Sequence, residues 1–165
     1  MLVNRFQKKD HRMLPEPKLE FFCDLYVELD SIRELGAGRA GQRRIIPIIG
    51  GRAFGPHFSG KVLKLGADWQ TIFADGLAEL DTRYAIETED GATIEVLNYG
   101  FRHGPPEVVA AIGRGETVAP DQYYMRTHAR LETGDPTYTW INRLLFVGVG
   151  AREKSTVVLK LYVIK

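Results

Sequence analysis

A single cysteine in 165 residues leaves the chain without an intrachain disulfide and removes the small disulfide-framed scaffolds from consideration. Cys23 falls on the apolar side of an alternating run, where a thiol serves as a small hydrophobe. Excess charge of one sign is also lacking: 22 Lys and Arg face 21 Asp and Glu, for a net charge of +1. A surface so balanced carries no global field toward a phosphate backbone or an anionic bilayer, which argues against nucleic-acid and membrane partners. The four histidines are scattered, with no CxxC or HxxxH spacing, so no metal site is predicted. No apolar run approaches the ~18 residues of a membrane-spanning helix. Residues 1–17 carry Arg5, Lys8, Lys9, Asp10, His11 and Arg12 instead of the apolar stretch of a secretory leader. The expectation is a soluble, cytoplasmic protein with no cofactor: a loose arm over residues 1–17 and one domain over residues 18–165.

What the chain does have is period-two alternation. From Leu19 to Leu29 the odd positions are Leu19, Phe21, Cys23, Leu25, Val27 and Leu29, which predicts a strand with one buried face. Leu35 to Gly41 contains a GxGxxG spacing, but Ile45-Ile46-Pro47-Ile48-Ile49 follows where a dinucleotide site needs a helix. That stretch is read as a flexible connection into a strand, with Pro47 marking an edge or bulge and Gly50-Gly51 a bend. Phe58 to Leu65 and Ala67 to Ala74 read as two short strands. Asp75-Gly76 then signals a two-residue hairpin that pairs Ala74 with Leu77, sets Trp69 opposite Thr82, and turns Asp68 outward toward Arg83.

At Glu89-Asp90-Gly91 a three-residue loop fits better, aligning Ile86 with Ile94, Tyr84 with Val96 and Thr82 with Asn98. The inward face then carries Thr82, Tyr84 and Asn98 among aliphatic side chains, a polar lining that suggests a cavity. Pro105 to Gly115 is the one convincing helix, with proline at its start and glycine to stop it. Ser155 to Ile164 alternates again and could pair with the first strand to close a barrel.

Asp121 to Val149 holds the densest set of ligand-capable side chains, in two strand-like runs across a Gly134-Asp135-Pro136 turn. One register puts Met125, Leu131, Trp140, Asn142, Leu144 and Phe146 on a common face. A one-residue slip instead gathers Tyr124, Arg126, Glu132, Trp140 and Asn142. Sequence leaves both open.

These motifs also carry a resemblance. Gly41-Gln42-Arg43-Arg44, Gly50-Gly51, Gly66-Ala67-Asp68-Trp69-Gln70, Asp75-Gly76, Arg83-Tyr84, Asp90-Gly91, Tyr123-Tyr124-Met125-Arg126, Glu132-Thr133-Gly134 and Tyr138-Thr139-Trp140-Ile141-Asn142-Arg143 stand in order, and the chain resembles the DUF3237 family, also labelled UPF0311. The resemblance runs from about Leu25 to Tyr162 and implies a β-barrel domain, while the family's name carries no activity. Met125 and Leu131 stand where aromatic residues are expected, a departure that would reshape a pocket.

The combined expectation is an all-β, single-domain antiparallel barrel of about eight to ten strands with one short helix. Its cavity would bind a small hydrophobic or aromatic carboxylate or carbonyl compound through Trp69, Tyr84, Tyr124, Arg126, Trp140 and Asn142. The alternative is a cofactor-independent isomerase or cyclase in which Asp68 or Glu132 moves a proton. A third reading is a homo-oligomeric structural domain.

Overall fold

The alternation becomes a closed sheet. In a computed structural model, which describes residues 14–165, nine strands run β1 (Leu19–Leu29), β2 (Arg33–Ala37), β3 (Gln42–Phe54), β4 (Ser59–Ile72), β5 (Ala78–Thr88), β6 (Thr93–His103), β7 (Tyr124–Glu132), β8 (Phe146–Glu153) and β9 (Thr156–Ile164). The single α-helix among the described residues, α1 (Pro106–Gly113), joins β6 to β7. All pairings are antiparallel, and β1 pairs with both β9 and β3, so eight strands close into a barrel while β2 hangs on β3 alone. The expected all-β barrel and short helix are therefore present. Of the anticipated N-terminal arm over residues 1–17, residues 1–13 lie outside the described residues, and Leu14 to Pro17 are exposed without regular structure.

Closure requires sharp bends, and glycine supplies them. β3 leaves β4 and turns onto β1 through Gly50 and Gly51, with φ of 156° and 133°; a Cβ on Gly51 would collide with the Tyr26 carbonyl oxygen. β4 is one continuous strand, not two, because Gly66 (φ 120°) kinks it at a bulge opposite Tyr84 without ending it. The GxGxxG segment is the tip of the β2–β3 hairpin, where Gly38 N–H donates to the Gly41 carbonyl at 2.8 Å and β3 follows. It is thus an ordered turn and not a flexible connection. β1 also departs from simple alternation: a bulge in its pairing with β9 turns Phe22 inward together with Cys23 and leaves Leu19 and Phe21 exposed.

Two hairpins share one loop geometry. At Ala74-Asp75-Gly76 the Phe73 N–H meets the Leu77 carbonyl at 2.9 Å, and at Glu89-Asp90-Gly91 the Thr88 N–H meets the Ala92 carbonyl at 2.8 Å; both glycines have positive φ. The second loop matches expectation. The first corrects it: with three residues in the loop, Trp69 pairs with Asp81 and Asp68 with Thr82, so the slip exchanges the faces of β4. A cluster of apolar side chains, including Phe22, Cys23, Phe58, Phe146 and Ile141, fills most of the barrel. A smaller one, with Leu80, Ile112, Tyr123 and Met125, packs beneath α1.

Candidate ligand site

Between those two clusters the packing is incomplete. β4, β5, β6 and β7 aim Asp68, Thr82, Tyr84, Asn98 and Thr127 into a cavity whose remaining wall is Leu80, Met125 and aliphatic residues of β1, β3 and β9. The cavity has a volume of about 30 Å³, room for about two waters. Three polar atoms on this wall are buried without a hydrogen-bond partner: Tyr84 Oη, Asn98 Oδ1 and Thr127 Oγ1. An unpaired buried polar atom costs about 1–3 kcal/mol, so three around one cavity form a group that the fold itself does not satisfy.

Asp68 stands at the edge of this group. Its carboxylate accepts from Thr82 Oγ1 at 2.8 Å and from Gln70 Nε2, and Gln70 in turn accepts from Arg44 Nε at 2.8 Å. Burial raises the Asp68 pKa above 3.8, and the two side-chain hydrogen bonds, Arg102 and Arg44 only partly oppose it. Burial likewise pushes the Tyr84 phenol far above its usual range, so this group acts as a neutral hydroxyl. The cavity therefore offers a protonatable carboxylate beside neutral hydrogen-bonding groups. Among the described residues no cluster of His, Cys, Asp and Glu is arranged to hold a metal ion.

Of the predicted site residues, Asp68 and Tyr84 line the cavity together. The others do not join them. Trp69 faces outward on β4, and Tyr124 is exposed on β7, stacked on His103 with Arg126 5.1 Å over its ring. Arg126 donates to the Met125 carbonyl at 2.9 Å, and exposed Glu132 lies 3.8 Å from Arg130. Trp140 and Asn142 are not in a strand at all. Thr139–Arg143 forms a short 3₁₀ helix at one barrel end, where Trp140 meets His57 edge-on at 5.1 Å and Asn142 accepts from the Thr133 N–H and donates to its carbonyl.

The central hairpin thus pairs only Arg126 to Ala129 with Phe146 to Val149. It shares the first anticipated parity, with Met125, Leu131 and Phe146 buried, and lacks the long paired arms of either register. Asn98 occupies the inward place expected of it. Thr127, Gln70 and Arg102 were not anticipated; continuing the inward parity of β6 from Ile94 through Asn98 to position 102 would have pointed to Arg102.

Comparison with known proteins supports the architecture. The model of the family described as "Protein of unknown function (DUF3237)" matches residues 17–164. The chain belongs to the DUF3237 family. A UPF0311 protein of Rhodopseudomonas palustris is 41% identical over 150 residues, covering 91% of this chain and 98% of that one. The crystal structure of a conserved protein from the same organism superimposes with a TM-score of 0.89 at 40% identity, covering 92% of this chain and all (100%) of that one. A beta-barrel like protein of Acinetobacter baumannii gives 0.81 at 40% identity, over 92% and 98% of the two chains. An enzyme from Penicillium herquei shares the fold at a TM-score of 0.69 and 23% identity, over 92% and 97%. The barrel seen in this chain accordingly agrees with a family relative described as beta-barrel like.

Proposed function

We propose that this DUF3237 barrel binds a small hydrophobic or aromatic compound bearing a carbonyl, carboxyl or hydroxyl group, and that the polar end of that compound enters the cavity between β4, β5, β6 and β7. The observation that carries this reading is the convergence of Tyr84 Oη, Asn98 Oδ1 and Thr127 Oγ1, all buried and unpartnered, on one otherwise aliphatic space. A phenol, an amide and a hydroxyl together can both donate to and accept from a carbonyl or hydroxyl group. Met125 forms part of the wall, and its unbranched side chain can shift to admit the apolar body of a ligand.

A specific observation also favours catalysis. Asp68 borders the same space, buried and with its pKa raised by that burial, the direction a proton-carrying carboxyl group requires. The second reading is therefore a cofactor-independent isomerase or cyclase in which Asp68 moves the proton and Tyr84 donates to the developing oxyanion.

The test is a thermal-shift screen of aromatic acids, fatty acids, keto acids and phenols on the wild type, Tyr84→Phe, Thr127→Val and Asp68→Asn. A ligand at a hundredfold over its Kd stabilises by about 2.7 kcal/mol. The expected hit weakens in Tyr84→Phe and Thr127→Val. A hit that Asp68→Asn still binds but no longer turns over selects the enzyme. Failure of the whole set, or a hit indifferent to all three changes, overturns the cavity as the site.

A further inference from the structure

A second feature lies beside Asp68 and is not part of the interior cavity. Arg44, Arg102, Arg114 and Arg152 line an open pocket of about 230 Å³ floored by Ile32, Ile46 and the last turn of α1. Arg114 is accounted for, since Glu116 holds its Nε at 2.6 Å. The other three are not. Arg44 uses Nε on Gln70 and Arg152 uses Nε on the Lys154 carbonyl, both at 2.8 Å, and among the described residues neither engages its terminal nitrogens. Arg102 is only 7% exposed, and among the described residues it donates no hydrogen bond to any side chain or carbonyl.

A largely buried guanidinium without a protein acceptor is costly, and because none of its nitrogens is among the fully buried unpartnered atoms, its donors face the pocket. Here the cost is compounded, because burial and the charges of Arg44 and Arg152 together press the Arg102 pKa down to about 10. Asp68 is the one carboxylate that opposes this, and its oxygens are already taken by Thr82 and Gln70. Glu34 faces Arg44 across the β2–β3 ladder, yet no ion pair closes between them within 4.0 Å. Three cations against so little negative charge leave a net positive, partly dry pocket whose shape is set by planar, fork-like donors. That is the complement of an oxyanion, which accepts in-plane pairs of hydrogen bonds from guanidinium groups.

We infer that Arg44, Arg102 and Arg152 form an oxyanion-binding site at the α1 end of the barrel, one that takes the carboxylate or phosphate of a small ligand. The site stands whether or not the interior cavity is filled. The relay from Arg44 through Gln70 to Asp68 connects it to that cavity, so one bound anion and one cavity ligand, or the two ends of a single molecule, would meet at Asp68.

The test is isothermal titration and thermal shift with inorganic phosphate and with benzoate, each against chloride at matched ionic strength. Wild type is expected to show saturable binding of at least one of the two, and the tighter one tells a phosphorylated ligand from an organic acid. Arg152→Gln, which leaves the Asp68 relay intact, is expected to raise Kd at least about tenfold, as loss of a charge-assisted hydrogen bond does. Arg130→Gln, on the outer face, is expected to leave Kd unchanged. Arg102→Met is expected to abolish binding while raising the melting temperature of the unliganded protein, because it removes the repulsion. No saturable binding of either anion, or equal binding in Arg152→Gln and Arg130→Gln, overturns the site. A melting temperature lowered in Arg102→Met would instead make Arg102 a structural partner of Asp68. Failure here leaves the interior-cavity reading standing, since that reading depends on Tyr84 and Thr127.

Discussion

Asp68 shows how much a single side chain's setting decides. In water a carboxyl near 3.8 is ionised throughout the physiological range; inside this barrel burial favours the protonated form and the neighbouring arginines only partly restore the charge. The folded state therefore binds a proton more tightly than the unfolded chain. Stability contributed at this position is present below 3.8 and is lost as pH rises from there through the higher folded value. Asp68→Asn cannot titrate, so the stability of wild type minus that of the variant should fall steadily with rising pH and then level off. Urea titrations from about pH 4 to about pH 8 read this difference directly. A difference that grew with pH would mean that Arg102 and Arg44 hold the carboxylate ionised, and Asp68 would lose its standing as a proton carrier.

Elements are where the sequence both revealed and concealed the site. The loop at Glu89-Asp90-Gly91 was legible because a wrong register would have mixed Arg83 and Glu87 with the core, so apolar pairing alone decided it. The loop at Ala74-Asp75-Gly76 has the same Asp-Gly ending and the same geometry, but both faces of β4 carry mixtures that tolerate either register, and the two-residue reading put Asp68 outside. Trp140 and Asn142 misled for another reason: a strand-like pattern gave way to a 3₁₀ helix, preceded by a turn in which Asp135 accepts from the Thr137 N–H and by Tyr138, whose hydroxyl donates to Asp90 at 2.8 Å, contacts that no local period records. Glycine tests these geometries. Gly91 (φ 91°) has open space around a would-be Cβ, so Gly91→Ala should cost only the left-handed backbone penalty of about 1–2 kcal/mol. Gly66 (φ 120°) would add a collision with the Arg83 carbonyl oxygen, and Gly66→Ala should cost more than about 3 kcal/mol. Equal losses in chemical denaturation would show that β4 can relax its kink.

At the scale of the whole molecule the barrel was legible because its ends announce themselves: apolar alternation at Leu19–Leu29 and Thr156–Ile164 leaves two strands that each need a partner, and they pair with one another. What no periodicity could supply was the interior, where Asp68 on β4 and Thr127 on β7 come from strands that are not neighbours and line one cavity only across the closed barrel. The seam itself is open to test. Lys18 and Lys165 exchange backbone hydrogen bonds at 3.1 and 2.9 Å, so the start of β1 lies beside the end of β9 as the two arms of a hairpin would. A circular permutant of residues 18–165 can join these ends through a short Asn-Gly turn and open the chain at Arg39-Ala40, the exposed tip of the β2–β3 flap outside the barrel. Its unfolding free energy should stay within about 1 kcal/mol of the linear chain, a shift of about 2–4 °C in Tm. Deleting β9 should by contrast leave β1 and β8 each with an open edge and abolish cooperative unfolding, because both of β9's neighbours lose a ladder. A permutant that fails to fold while the linear chain folds would place the start of β1 away from the end of β9, and the closure that brings Tyr84, Asp68 and Thr127 around one cavity would fail with it.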